Sequence, residues 1–282
     1  MTEMKWLDAL IAHALAEDVG EGDHTTLACI PSEAKGNARL LVKEEGIIAG
    51  VEVACYLLRY LDRECRTEIL IPDGRRVHKD DVVFVAEGKI HTLLKAERLL
   101  LNIMQRMSGI ASCTAMYVEK IKGTGAVILD TRKTVPGMRM LDKMAVRLGG
   151  GQNHRTGLYD MILIKDNHID FAGGIEKAIE GANQYCASKN KPLKIEIEAR
   201  SLDDVQRIVR HGHVHRIMFD NFSIEDTKLA VRMVNHRYET ESSGNINLDN
   251  VRQYAECGVD YISVGALTHQ VKSLDLSFKA MA

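Results

Sequence analysis

Between Asp130 and His168 the chain gathers Arg132, Lys133, Arg139, Lys143, Arg147, Arg155 and Lys165, together with His154, His168 and the run Gly149-Gly150-Gly151. These cations are not spread as on a solvated helix face. They sit beside glycines, next to Pro136, and at the ends of the apolar runs AVILD (126–130) and MILIK (161–165). Cationic side chains at strand ends and in glycine-containing loops suit a pocket for a small, multiply charged anion. The plainer reading of this stretch alone is a basic surface loop, so the elements that would position it must decide.

Beyond Gly125, candidate strands at 126–130, 161–165, 193–198, 216–220, 238–243 and 261–266 alternate with helical stretches at about 138–148, 173–188, 202–211, 224–236 and 248–257. This alternation predicts parallel βα units. No glycine fingerprint of a dinucleotide fold follows any strand, and no phosphate-loop lysine motif occurs. Long apolar strands with single glycines favour a closed α/β barrel over an open nucleotide-binding sheet. In a barrel the carboxyl ends of the strands converge on one rim, where sites are built. Here those ends carry Asp130 with Arg132 and Lys133, Lys165 with Asp166, then Glu198, Asp220, Ser243 with Gly244, and Gly265. Each alone is an ordinary strand-end residue; their agreement along the chain points to a site. The cations would meet an anionic substrate, and Glu198 and Asp220 could hold Mg²⁺ or stabilise a cation. Loops after the last two strands of such barrels often bind phosphate, and here they read SSG (242–244) and VGA (264–266).

The first third is organised differently. Trp6, Leu7, Leu10, Ile11, Ala14 and Leu15 share one face of a first helix that Gly20 and Gly22 stop, and EGDHTT (21–26) reads as a loop. Short strands with glycine turns and a helix over 51–61 follow, making a small α+β unit. From Leu93 an apolar stripe marks a helix up to Ser108-Gly109, and a second helix runs on to about Lys122. Arg98 and Arg106 lie on this segment and read, on their own, as solvated helix arginines.

Composition narrows the class. The 282 residues are 45% hydrophobic and 27% charged, with a formal net charge of -2, which argues against a general nucleic-acid binder. Six cysteines stand far apart with no CxxC pair, the usage of a reducing compartment without disulfides or a zinc cluster. The N-terminus has no signal-peptide pattern and no run is long enough to span a membrane, so the cytoplasm is expected. HGHVH (211–215) falls at the start of a strand, on the rim opposite the site, and reads as a loop rather than a metal centre. Lys133 and Lys165 stand among other charges, not in the apolar setting of a Schiff-base lysine.

The strings ERLLLNIMQRMSGIAS (97–112), DTRKTVPGMR (130–139), GGGQNHRTGLYD (149–160), ILIKDNHI (162–169), FDNFS (219–223), ESSG (241–244) and VDYISVGALTH (259–269) resemble the quinolinate phosphoribosyltransferase family in order and spacing. The resemblance implies a small N-terminal α+β sandwich domain over 1–109 and an open or incomplete α/β barrel over 110–269, with 270–282 packing back on the first domain. It implies a pentosyltransferase of de novo NAD synthesis that makes nicotinate mononucleotide, CO₂ and pyrophosphate from quinolinate and phosphoribosyl pyrophosphate with Mg²⁺. Arg132, His154, Arg155 and Lys165 would hold the quinolinate carboxylates, and Arg98 would reach the site of a neighbouring subunit in a homodimer or larger oligomer. Lys133, Lys165, Ser243, Gly244, Gly265 and His269 would face the phosphoribosyl donor. Lys133, Glu198 and Asp220 would be catalytic, with Glu198 and Asp220 serving the metal directly or indirectly.

The chemistry suits these residue types. A dicarboxylate calls for paired cations, and the planar fork of arginine fits a carboxylate better than a lysine point charge. Displacing pyrophosphate at a ribose carbon passes through an oxocarbenium-like state that carboxylates stabilise. Three positions depart from the family pattern: Asn245 stands where a second glycine is common, Gln270 where serine is usual, and Leu148 where cysteine is frequent. A molybdenum-transport-associated group shares this fold with another acceptor, but the cations of DTRKT, NHR and KDNH favour quinolinate. A non-enzymatic barrel binding an anion or RNA is the rival of a different class.

Overall fold

The computed structural model describes residues 4–281 and divides into two compact units. The first comprises residues up to Cys113, Pro136–Gly149 and the segment from Val271; the second comprises Thr114–Val135 and Gly150–Gln270. The expected boundaries were 109/110 and 269/270, so the stretch 136–149 groups with the first unit rather than with the strands that flank it.

The first unit opens with a 3₁₀ turn (Lys5–Leu7), α1 (Asp8–Val19) and α2 (His24–Cys29). α2 begins inside the stretch 21–26 read as a loop, because Asp23 caps it by accepting the Thr26 N–H at 3.0 Å. Then come β1 (Lys35–Val42), β2 (Gly46–Ile47), α3 (Val51–Leu61), β3 (Arg66–Ile69), β4 (Arg76–Val77), β5 (Val82–Lys89) and α4 (Ile90–Lys120). β1 is central to an antiparallel sheet ordered β12-β1-β5-β3, with β12 (Leu276–Met281) returning from the end of the chain. β2 and β4 form a separate two-stranded ladder.

α4 corrects the sequence reading: it is one helix of 31 residues, not two. Ser108-Gly109 is a packing site and not a stop. Ser108 Oγ accepts the Ala49 N–H at 2.9 Å, and a Cβ on Gly109 would collide with the Lys272 carbonyl. Arg106 is likewise no solvated arginine. Its guanidinium grips Asp142 of α5 (Arg139–Leu148) in a bidentate pair at 2.9 and 2.8 Å, and Asp142 is fully buried.

The second unit is a parallel sheet of six strands: β6 (Val127–Leu129), β7 (Ile162–Ile164), β8 (Ile195–Ala199), β9 (Arg216–Asp220), β10 (Glu239–Ser243) and β11 (Tyr261–Ser263). Its order is β6-β11-β10-β9-β8-β7. α6 (Asp166–Ala172), α7 (Ile175–Lys189), α8 (Leu202–His211), α9 (Ile224–Val234), α10 (Val251–Ala255) and α11 (Ala266–His269) alternate with them. β6 and β7 are edges that do not pair with each other, so the barrel is open, as the family resemblance implied and the apolar strand pattern alone did not. β6 instead bridges Leu129 to Gln152. α6 was missed in the sequence: its start is held by the His168 side chain, whose Nδ1 accepts the Lys165 N–H at 2.9 Å.

Candidate active site

All six strands of the second unit run the same way, so their carboxyl ends meet at one rim. A cavity of about 890 Å³ opens there, lined by Arg132, Lys133, His154, Arg155, Lys165, Glu198, Asp220, Ser243, Gly244, Gly265 and His269 among others. The structure thus brings together every singled-out residue except Arg98, which is exposed on α4 in the first unit. Arg139, Lys143 and Arg147 of the cationic stretch also lie elsewhere, on α5.

The loop after Gln152 is bolted to the end of β6. Fully buried Asp130 accepts Asn153 Nδ2 at 2.6 Å and the His154 N–H at 2.9 Å. The Arg155 N–H donates to His154 Nδ1 at 2.7 Å, and Arg155 Nη1 donates to the Met161 carbonyl at 3.3 Å. Arg155 is 8% exposed; burial, and then the nearby Arg132, pull its pKa below the usual value. Arg132 Nε is buried without a hydrogen-bond partner among the described residues. Two guanidiniums that repel each other, one with an unpaired donor among the described residues, have the chemistry to meet an anion.

Carboxylates flank these cations. Lys165 Nζ pairs with Glu198 Oε1 at 2.7 Å, and Glu198 Oε2 accepts the Asp166 N–H at 3.3 Å. Asp220 accepts one hydrogen bond among the described residues, from Asn221 Nδ2 at 3.0 Å to Oδ2. Across the rim, Thr268 Oγ1 donates to the Lys133 carbonyl at 2.8 Å, tying α11 to the loop after β6.

Beneath the cavity lies a charged layer that the sequence reading missed. His154 Nε2 lies 2.9 Å from Glu196 Oε2 and 3.5 Å from Glu241 Oε2. Arg216 Nη1 reaches Glu241 Oε2 at 2.8 Å, while its Nε and Nη2 reach Glu239 Oε2 at 3.2 and 3.1 Å. The Arg216 guanidinium stacks over Tyr261, 3.9 Å from the ring centre. Nδ1 of His154 accepts the Arg155 N–H, so Nε2 is the nitrogen that faces the Glu196 and Glu241 carboxyls. Burial raises both carboxyls, Glu196 to about 7 and Glu241 to about 8, and for Glu241 the neighbouring Glu196 adds to it. His154 lines the cavity, with Nδ1 held by the backbone and Nε2 close to two buried carboxyls. The available signal was the string IEIE: alternate glutamates on a buried strand share one face, so Glu196 must accompany Glu198 inward.

An open α/β barrel with cations, two carboxylates and a serine–glycine loop on its rim defines a protein that takes up small multiply charged anions. Comparison with known proteins narrows this. The quinolinate phosphoribosyl transferase C-terminal domain matches residues 110–279, and the N-terminal domain of the same family matches residues 23–108. Nicotinate-nucleotide pyrophosphorylase [carboxylating], chloroplastic, of Arabidopsis thaliana is 44% identical over 97% of this chain and 82% of its own. The probable nicotinate-nucleotide pyrophosphorylase [carboxylating] of a Synechocystis strain is 38% identical over 97% of this chain and 92% of its own. The crystal structure of NadC from Streptococcus pyogenes superposes with a TM-score of 0.92 at 36% identity, covering 100% of this chain and 99% of that one. The chain belongs to the quinolinate phosphoribosyltransferase family. No helix among the described residues is long and apolar enough to cross a membrane.

Proposed function

We propose that this protein transfers the phosphoribosyl group of phosphoribosyl pyrophosphate to quinolinate with decarboxylation, giving nicotinate mononucleotide, CO₂ and pyrophosphate. The observation that carries the reading is the Arg132–Arg155 pair, with its orphaned Nε, at the mouth of a cavity that also holds Lys133 and the Ser243 and Gly265 loops. Two forked cations fit the two carboxylates of a pyridine dicarboxylate. His154 serves them from below by fixing the Arg155 backbone, and Lys165 adds a cation when a carboxylate competes with Glu198 for it. Ser243, Gly244, Gly265 and His269 face the phosphoribosyl end, with Lys133 between the two substrates.

In the reaction, the pyridine nitrogen forms a bond to the ribose carbon as the bond to pyrophosphate breaks. Asp220 and Glu198 stabilise the positive charge that develops on the sugar. The carboxyl carbon then leaves as CO₂, its electron pair drawn to the cationic ring nitrogen, and the ring carbon takes a proton. Mg²⁺ would neutralise charge on the leaving pyrophosphate. The donor set fits such an ion in part. Asp220 has an oxygen with no protein partner among the described residues, and Mg²⁺ favours carboxylate oxygens together with water and phosphate. Both Glu198 oxygens are engaged, so Glu198 would serve the metal through water.

We further infer a homodimer or larger oligomer in which Arg98 completes the neighbouring site; its exposure and its place outside the cavity support this. Cysteines without disulfides support the cytoplasm as the compartment. An assay with quinolinate, phosphoribosyl pyrophosphate and Mg²⁺, following CO₂ and mononucleotide together, tests the reading. Equal formation of both products is expected; turnover only with another acceptor, or none, would overturn it. Mixing an Arg98→Ala protein with a Lys133→Ala protein should restore partial activity if sites are shared. Confirmed mixed dimers without activity would refute sharing.

A further inference from the structure

Asn245 is tied to Asp220. Asn245 Nδ2 donates to Asn221 Oδ1 at 3.0 Å, and Asn221 Nδ2 donates to Asp220 Oδ2 at 3.0 Å. The direction of this chain is forced. A carboxylate only accepts, so Asn221 must turn its nitrogen to Asp220; its oxygen then faces Asn245, which must present a nitrogen. Both asparagines hold left-handed backbone, φ 56° and 52°, a conformation that asparagine tolerates better than other non-glycine residues. The Asn221 N–H is pinned to the Ser243 carbonyl at 2.9 Å, across the β9–β10 register that sets Asp220 opposite Ser243. The Asn245 carbonyl accepts Asn250 Nδ2 at 3.1 Å, anchoring the loop from its far side. Gly244 makes room for this: at φ 91°, any Cβ there would run into Asn221 Oδ1.

We propose that Asn245 and Asn221 are positioning residues, a two-amide relay that ties the loop after β10 to Asp220 and fixes that carboxylate for the phosphoribosyl donor. The relay occupies Oδ2 of Asp220 and leaves Oδ1 for the cavity, so the carboxylate presents one oxygen in one orientation. The loop that faces the donor's phosphate and the carboxylate that faces its ribose are then held as one piece. The inference rests on the phosphoribosyl-transfer reading. It adds that the amide at position 245 does work that a glycine there could not do.

The test is calorimetric titration of phosphoribosyl pyrophosphate with excess Mg²⁺, without quinolinate, into the full chain. The proteins are wild type, Asn245→Gly, Asn221→Gly and the double variant. Glycine adopts left-handed backbone freely, so these changes spare the fold, and thermal unfolding checks that. Asn245→Gly should weaken donor binding roughly three- to ten-fold, the loss of one hydrogen bond to a group that orients a charge. Asn221→Gly should weaken it at least as much. The double variant should be no weaker than Asn221→Gly alone, because Asn245 acts only through Asn221. Quinolinate binding should not change in any of them. Multiplying effects in the double variant would mean that each amide touches the donor directly and would overturn the relay, as would unaltered binding by Asn245→Gly. Wild-type protein that fails to bind the donor would refute the transfer reading and the relay with it, whereas failure of the relay alone shows as a wild type that binds and variants that match it.

Discussion

Replacing Glu241 with glutamine should flatten the pH dependence of stability. Glu241 is fully buried between Glu196, His154 and Arg216, with Glu239 behind Arg216 and Tyr261 on the next strand. Burial first, and then Glu196, raise its pKa from 4.5 to about 8. A carboxyl raised in the folded state keeps its proton where the unfolded chain has lost it. Its stabilising effect is therefore whole below pH 4.5 and falls as pH climbs from there towards 8. Each pH unit in that window costs about 1.4 kcal/mol for one proton, so between pH 5.5 and 7.5 the loss approaches ~3 kcal/mol. Glutamine keeps the shape and the contact with Arg216 but holds no titratable proton, and it leaves Glu239 and Glu196 to balance Arg216. Urea unfolding at pH 5.5 and 7.5 of both proteins gives the decisive quantity, the difference between their two pH changes, in which titrating groups outside the Glu196–Glu241 pair cancel. The variant's stability should fall by roughly 2 kcal/mol less than that of the wild type. Equal falls would show that Glu241 is ionised in the folded protein at both pH values and that the buried layer carries net negative charge.

Arg132→Ala or Arg155→Ala should lose about 2 kcal/mol or more of transition-state stabilisation, measured as kcat/KM for quinolinate, because a carboxylate would go unpaired in a desolvated site. Wild-type-like values in both variants would remove the clamp assignment. Asp130→Asn should lower stability by roughly 2–3 kcal/mol in urea unfolding, since a buried charged acceptor for Asn153 and His154 becomes a group with one oxygen. Glu198→Gln should raise the KM for quinolinate less than it lowers kcat, because it frees Lys165 for the substrate while removing a charge that the oxocarbenium-like state needs.

Much of this was legible in the sequence, for identifiable reasons. The rim residues could be read because parallel strands deliver their carboxyl-end residues to one place, whatever the details of packing. Arg132, Lys165, Glu198, Asp220, Ser243 and Gly265 followed from strand ends alone. Elements whose boundaries depend on tertiary contacts could not be read. The Ser108-Gly109 pair looks like a helix stop until Ala49 and the Lys272 carbonyl are seen against it. α6 hides in KDNH because its N-cap is a lysine whose backbone N–H is accepted by a histidine ring, and not a serine or aspartate. Arg106 looks solvated because its partner Asp142 lies 36 positions on. The buried layer escaped for a different reason: glutamates and an arginine in short strands read as surface residues, and only register places Arg216 opposite both Glu196 and Glu239.

That layer also explains how the cavity stays positive. Lys165 is offset by Glu198, so the attracting field comes from Arg132, Arg155 and Lys133. Two ionised glutamates directly below would cancel much of it, since interior charges are weakly screened over a few ångströms. Arg216 balances one of them, and Glu239 draws on the same guanidinium. Burial raises both carboxyls, to about 7 for Glu196 and about 8 for Glu241, which favours a retained proton on the pair. The layer then lies against the imidazole whose Nδ1 fixes the Arg155 backbone, without opposing the anion above. Cations on the rim and a protonated layer beneath are two halves of one electrostatic arrangement. Ionising the lower half should weaken quinolinate binding as well as the fold.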